Sequence, residues 1–279
     1  MTTLKSILKI LTDSGIETNE ASAELKLLLE HFANYGYKDI ILGNSLSSEK
    51  IELVKEKAEL RAKTRKPIQH IIGFADFMGE KFIVNPNVLI PRDETELLVR
   101  KAVEIIMEKG FTTALDIGTG SGCIACMIAK LTDCQIIGLD ISTDALQTAL
   151  DNASRLNLYN KAIFRKSDIF SNVKPGESFD IIVSNPPYIP PSEKSKIQTE
   201  VKFDPEIALF TKDEKGLEFY EKVTSKASDI LNKGGYLLFE LGIGQAEDVK
   251  KIFEENGFEN IEIQKDLAGI ERVISGAKL

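Results

Sequence analysis

Cysteine is scarce in this chain: Cys123, Cys126 and Cys134 are the only three in 279 residues. A small, odd count argues against a disulfide framework. Cys123 and Cys126 form a C-x-x-C, yet they lie in the apolar, helix-like run SGCIACMIAKL with no second pair and no histidine nearby. Small buried thiols are expected there, not redox or metal chemistry. Histidine is scarcer still. His31 and His70 stand far apart in sequence, so a structural or surface role is expected of each, and no metal site.

Long apolar runs are also missing. No stretch approaches the roughly 20 residues that a membrane span needs. The opening MTTLKSILKILTDSG has neither the continuous apolar core nor the small-residue cleavage site of a signal peptide. Its Leu4, Ile7, Leu8 and Leu11 follow helical spacing instead. A cytoplasmic protein that begins with a helix is expected. Positive charge is in deficit, with 35 Lys and Arg against 43 Asp and Glu, scattered rather than blocked. That argues against a nucleic-acid face, and no membrane partner is expected.

What is present is a change of rhythm. Up to about residue 70 the periodicity is helical, with Ala21, Leu25, Leu28, Leu29 and Phe32 on one stripe and SSEKIELVKEKAELRAK carrying another. A helical bundle over 1–72 is expected, then a linker over 73–92 in which FMGEKFIVN forms a short hairpin turning at Gly79. The domain that does the chemistry is expected over 93–279. From residue 111 strands and helices alternate: TALDIG, CQIIGLDI, AIFRKSDI, FDIIVSN and GGYLLFELG read as strands with helical segments between them. Alternation of this kind implies an α/β fold with a mostly parallel sheet covered by helices. The last two strands, ENIEIQKDL and ERVISG, are joined too closely for a crossover helix, so they should be antiparallel neighbours.

The run LDIGTGSG follows the first of these strands and opens a helix. Its Gly118, Gly120 and Gly122 permit a tight turn and close approach of backbone to a ligand. Asp140 ends the next strand, where a carboxylate can accept from both hydroxyls of a ribose. The spacing is G-x-G-x-G rather than that of a dinucleotide site, and Asp116 stands where a pyrophosphate would be repelled and an ammonium welcomed. S-adenosylmethionine has an adenosine, a sulfonium and an amino-acid tail but no phosphate, and it fits this pattern. Asp168 is a candidate acceptor for the adenine amine, and Ile169 a residue to pack on its ring.

After the fourth strand comes SNPPYIP. Two prolines remove two backbone donors and fix the chain in a stiff corner, and Asn185, before Pro186, is held extended. At the carboxyl end of a strand this corner faces the ligand position of an open α/β sheet. The Asn185 side-chain oxygen and the Pro186 carbonyl can each accept one hydrogen of a planar NH₂ group. That grip aims the nitrogen lone pair at a methyl carbon, with Tyr188 on the planar face of the substrate. The polar stretch from Ile189 to Lys215 is longer than compact connections usually are and reads as a lid or binding loop.

On NPPY together with PIQHIIG, VLIPRDETELLV, DIGTGSGCIA, GLEFYEKV, GGYLLFELGIGQ and DLAGIERV, the chain from about residue 66 onward resembles the protein-glutamine methyltransferases that modify peptide chain release factors. The resemblance implies a class I S-adenosylmethionine-dependent methyltransferase. Its fold would be Rossmann-like, with a mostly parallel seven-stranded sheet, an antiparallel last strand and a small helical bundle in front that binds the substrate protein. It implies methylation of the glutamine side chain in a Gly-Gly-Gln loop of class I release factors, with S-adenosylhomocysteine as the product. The segment Gly118, Thr119, Gly120, Ser121 and Gly122, with Asp140, Ile169 and Asn185, would hold the cofactor. Asn185, Pro186, Pro187 and Tyr188 would hold the glutamine, with Arg92 and the loop TEVKFDPEIAL bordering the peptide. A monomer is expected. Alternatives are a glutamine of a ribosomal protein, or an amino group of DNA presented by base flipping. The chain departs from the family at Asp93, where proline is usual, at Asp204-Pro205, where Glu-Pro is usual, and in FTKDEKG, which lacks the usual glycines.

Overall fold

The computed structural model describes residues 3–279. The first two residues of the expected bundle, where the reading of the amino terminus also begins, lie outside the described residues. The chain divides into two compact units. One runs to Phe74 and includes Gln198–Phe203; the other comprises Ala75–Ile197 and Asp204–Leu279.

The first unit contains α1 (Leu4–Asp13), α2 (Thr18–Ala33), α3 (Tyr37–Leu42), α4 (Ser48–Thr64) and α5 (Ile68–Ile72). Thr3 and Ser6 cap α1 reciprocally, each side chain accepting from the other's backbone N–H. The apolar stripes meet as expected: Ile7 and Leu11 pack with Ala21, Leu25 and Leu28 of α2 and with Val54 and Ala58 of α4. Glu24 and Arg61 are buried in this unit, with Arg61 Nε donating to Glu24 Oε1 at 2.9 Å and Nη1 donating to Glu200 Oε1 at 2.9 Å. Arg65 Nη2 also reaches Glu200 Oε1, at 2.6 Å. That pairing accounts for residues 198–203, from the long loop, belonging to this unit.

The second unit opens on a hairpin, β1 (Phe74–Phe77) and β2 (Glu80–Ile83). The Met78-Gly79 turn has positive φ at both residues, 50° and 80°, the backbone that matches the twist of a two-residue hairpin. Then come α6 (Asp93–Lys109), β3 (Thr113–Ile117), α7 (Cys123–Leu131), β4 (Gln135–Asp140), α8 (Thr143–Arg155), β5 (Ala162–Lys166) and β6 (Phe179–Ser184). After the long loop, which holds the short α9 (Glu206–Leu209), follow α10 (Glu218–Ile230), β7 (Leu231–Glu240), α11 (Ala246–Glu255), β8 (Phe258–Lys265) and β9 (Glu271–Lys278). The sheet has seven strands in the order β5-β4-β3-β6-β7-β9-β8. The pairings among β5, β4, β3, β6 and β7 are parallel, whereas β9 is antiparallel to both neighbours.

Central strands buried on both faces explain the near-continuous apolar runs. Ala114, Ile181, Val183 and Leu238 face one core with α6 and α7, while Leu115, Ile182, Leu237 and Phe239 face another with α10 and α11. The three cysteines are free and buried, and burial pushes the Cys123 thiol up to about 12. Two boundaries differ from expectation. The third strand of the sheet ends at Lys166, so Asp168 lies in the turn beyond it; Ser167 N still donates to Asp140 O at 2.8 Å, while the Ser167 hydroxyl closes that turn. The strand expected from Gly234 begins at Leu231, with a register shift opposite Phe179 and Ile181 that absorbs the extra residues. Among the described residues no helix is long and apolar enough to cross a membrane.

Candidate active site

The chain passes from β3 to β4 and β5 on one side, then returns to β6 on the other. The carboxyl ends of β3 and β6 therefore flank the reversal point, where open α/β sheets leave a crevice. A cavity lies there, lined by Gly118 and Gly120 after β3, Asp140 after β4, Asp168 and Ile169 after β5, and Asn185, Pro186 and Pro187 after β6. Val88, Ile207, Phe219 and Val223 supply apolar wall.

The glycine loop folds over the end of β4 through two bonds to one carbonyl, Gly118 N and Thr119 N donating to Leu139 O at 2.8 and 2.9 Å. Gly122 has φ +77°, and a Cβ there would lie 2.9 Å from that of Ala149, so α8 packs against it only because it is glycine. Asp140 accepts from Gly120 N and Ser142 N, each at 2.9 Å. Both its oxygens are thus oriented by backbone, with lone pairs remaining toward the cavity. Burial raises its carboxyl pKa. Asp116 lies beneath the loop, fully buried, with Oδ2 accepting from Thr119 Oγ1 at 2.6 Å. Burial pushes its carboxyl up to about 7.

Ile169 stands at φ +49°, an outlier for a β-branched residue. Ser167 holds it, its hydroxyl donating to Ile169 O at 2.8 Å while accepting from Asn172 N at 3.0 Å. Such strain, worth about 1–3 kcal/mol, persists only where neighbours over-determine it. Here it sets the exposed Asp168 and the Ile169 side chain at the cavity rim.

At the corner, Ser184 Oγ donates to Ile117 O at 2.7 Å and ties the end of β6 to that of β3. Asn185 Nδ2 donates to Thr95 Oγ1 at 3.2 Å, and Thr95 Oγ1 donates to Glu240 Oε2 at 2.6 Å. Tyr188 Oη stands 3.4 Å from Glu240 Oε1. The Tyr188 carbonyl accepts from Gln245 Nε2 at 3.0 Å. Tyr188 therefore stands behind the corner, its hydroxyl toward a buried acid, rather than on the cavity wall. Arg92 is likewise absent from the wall: its Nη2 donates to Asp204 Oδ2 at 2.6 Å. Asp116, Thr119, Ser121 and Gly122 are buried and do not line the cavity.

Thr95, Glu240, Gln245 and Asn152 are the functional supports that sequence reasoning missed. Glu240 left a signal, a lone carboxylate closing the apolar strand GGYLLFE. Thr95 left none, because its partners are distant in the chain. Among the described residues no Lys, Arg or His lines the cavity, whereas two carboxylates do. The lining thus suits an adenosine with a cationic tail and disfavours a pyrophosphate.

The family profile described as a methyltransferase domain matches residues 108–269. The chain is 38% identical over 239 residues to the release factor glutamine methyltransferase of Fusobacterium nucleatum, covering 85% of this chain and 67% of that one. It is 36% identical to the release factor glutamine methyltransferase of Koribacter versatilis, covering 98% and 96% respectively. Among solved structures, a 16S rRNA methyltransferase of T. thermophilus in complex with AdoMet and guanosine aligns at TM-score 0.53 with 18% identity, covering 74% of this chain and 50% of that one. That likeness is one of fold.

Proposed function

The chain belongs to the release factor glutamine methyltransferase family, and from that premise we propose that it methylates the side-chain nitrogen of the glutamine in the Gly-Gly-Gln loop of class I peptide chain release factors. It is an S-adenosylmethionine-dependent protein-glutamine methyltransferase; the loop and its owner are the proposed part.

S-adenosylmethionine, with S-adenosylhomocysteine as product, supplies an electrophilic methyl carbon on a positive sulfur. Asp140 would accept from the ribose hydroxyls, Asp168 from the adenine amine, and Ile169 would pack on the ring. The loop from Gly118 to Gly122 would hold the amino-acid tail, with the Asp116 carboxyl beneath the loop. An amide nitrogen is a poor nucleophile because its lone pair is delocalised into the carbonyl. Asn185 Oδ1 and the Pro186 carbonyl each accept one of its hydrogens, which aims the lone pair and favours a tetrahedral nitrogen. This is positioning with preorganised electrostatics. The nitrogen turns acidic once it becomes cationic, so no strong base is required. Pro187 and Tyr188 hold the corner in shape, and Arg92, on Asp204, borders the peptide. The helical unit receives the rest of the substrate protein. In this reading the enzyme works in the cytoplasm as a monomer, without nucleic acid.

The observation that carries the reading is the Asn185 amide, whose nitrogen is engaged by Thr95 Oγ1 at 3.2 Å and whose oxygen remains for the cavity it lines. The test is mass spectrometry of release factor, ribosomal protein and DNA after incubation with enzyme and labelled donor. Label on the Gly-Gly-Gln glutamine is expected; label confined to ribosomal protein or DNA refutes the assignment. Asn185→Ala should lower kcat by about 10²–10³ with donor affinity, measured by calorimetry, largely kept.

A further inference from the structure

Behind the corner lies a buried polar relay that the chemistry above does not use. Glu240 closes β7 and Thr95 sits in the first turn of α6, each 2% exposed. Thr95 Oγ1 is 2.6 Å from Glu240 Oε2 and 3.2 Å from Asn185 Nδ2. Elementary hydrogen-bond chemistry orients the chain. An ionised carboxylate only accepts, so the single Thr95 proton points at Glu240. Toward Asn185 the hydroxyl can then only accept, and it takes an N–H of the amide. The Asn185 oxygen, on the other arm of the planar group, is left to the cavity.

We propose that Glu240, acting through Thr95, is a positioning residue that sets the Asn185 amide with its oxygen toward the substrate, and so makes the site select a nitrogen donor over an oxygen acceptor. The inference rests on the glutamine clamp proposed above. A neutral group at position 240 removes the polarity: a protonated carboxyl, or a glutamine, can donate to Thr95 and release the Thr95 proton toward Asn185. The amide then turns over, and an N–H faces the N–H of the substrate. A site built for one pattern of donors and acceptors rejects its inverse strongly.

The same geometry gives a pH dependence. Burial pushes the Glu240 carboxyl up to about 7, with the Thr95 hydrogen bond opposing, Glu94 adding, and Arg272 and Tyr188 opposing. The charged and titratable groups around it are Tyr188 from the corner, Glu94 from α6, Arg272 from β9, Cys123 from α7 and Tyr220 from α10, whose hydroxyl donates to the Glu240 carbonyl at 3.0 Å. The positioning is present above that value and lost as pH falls through it, so kcat rises with pH near 7.

The test compares the full-length enzyme with Glu240→Gln, Thr95→Val and Thr95→Ser, using a class I release factor as methyl acceptor. The readouts are kcat, KM, donor affinity by calorimetry and the pH profile of kcat. Glu240→Gln and Thr95→Val should each lose about 10²-fold in kcat, the scale of a misplaced reacting group, with donor affinity little changed. Thr95→Ser keeps the hydroxyl and should stay within about threefold of the parent. The rise near pH 7 should vanish in Glu240→Gln. A packing role orders the Thr95 variants the other way, with valine harmless and serine harmful. That order, or a Glu240→Gln enzyme with parental kcat and an intact rise, overturns the proposal. If Glu240→Gln fails to fold, the Thr95 pair decides alone. Failure of the parent enzyme to methylate any glutamine removes the clamp and the relay together, whereas parental turnover with indifferent variants removes only the relay.

Discussion

Gly216 shows how closely single residues are fitted around the corner. A Cβ there would lie 2.1 Å from Tyr188 O and 2.5 Å from Gln245 Nε2, at a φ of +73°. Gln245 is the hub it would displace: Nε2 donates to the carbonyls of Tyr188 and Lys215 at 3.0 Å each, and Oε1 accepts from Gly242 N at 3.1 Å. Gly216→Ala should therefore destabilise by roughly 1–3 kcal/mol through strain and lost pairing, read as a lower urea midpoint. It should also lower kcat, because the carbonyl it pushes belongs to the corner. Unchanged midpoint and turnover would show that the corner tolerates movement there. FTKDEKG, which contains Gly216, stood out in the sequence only as a departure from the family. Its contact with Tyr188 joins residues far apart in the chain, and no local pattern announces such a contact.

Among the elements, α8 is fastened by Asn152 and by Thr148, whose hydroxyl accepts from Asn85 Nδ2 at 2.9 Å. Asn152 is fully buried; its Oδ1 accepts from Ile83 N at 2.7 Å, and its Nδ2 donates to Ile83 O at 3.1 Å and Ser121 O at 2.9 Å. One amide thus binds α8 to β2 and to the glycine loop. Asn152→Ala leaves those backbone groups without that partner. A loss of about 1–3 kcal/mol is expected in urea unfolding, with weaker donor binding because the loop is released. If donor affinity is unmoved, the loop is held by its bonds to Leu139, Asp140 and Asp116 without Asn152. The start of α6 explains one departure from the family. Asp93 is the first helical residue, with Arg92 as its cap, a position that favours proline for its preset φ and an acid for the helix dipole. Helical stripes, alternating strands and the closing antiparallel pair were readable because each depends on local periodicity. The end of β5 was not, since the Ser167 hydroxyl closes the turn there by bonding forward.

For the whole molecule, buried and exposed carboxyls set opposing pH trends. Burial raises Asp116 and Glu240 to about 7 and Asp204 to about 6. Between about pH 4 and 7 these groups hold protons when folded that the unfolded chain has lost, so stability falls as pH rises through that window. Glu177 is held down at about 2, chiefly by its hydrogen bond from Arg165. It contributes stability above its unfolded value, lost as pH falls through the acid range. A urea midpoint highest near about pH 4 and declining toward about pH 7 is expected; a steady rise over that interval contradicts it. At the same scale, the proposed substrate role of the helical unit predicts that a chain starting at Ala75 keeps donor binding. It should lose about 10²-fold in kcat/KM for release factor, the gain a second attachment point brings. Equal kcat/KM with and without the bundle would contradict that role.

Residue order was enough to imply a parallel sheet ending in an antiparallel pair, a bundle before it, and a glycine loop and an Asn-Pro-Pro-Tyr corner at strand ends, because backbone preference and periodicity act over a few neighbours. It did not show that Thr95, Glu240 and Gln245 stand behind the corner, that Tyr188 faces away from the cavity, or that Arg92 rests on Asp204. Those arrangements join residues up to 145 positions apart, as Thr95 and Glu240 are. Packing of α6, β7 and the long loop creates them, and a hydrogen bond carries no trace in the chain until its two partners have been brought within reach.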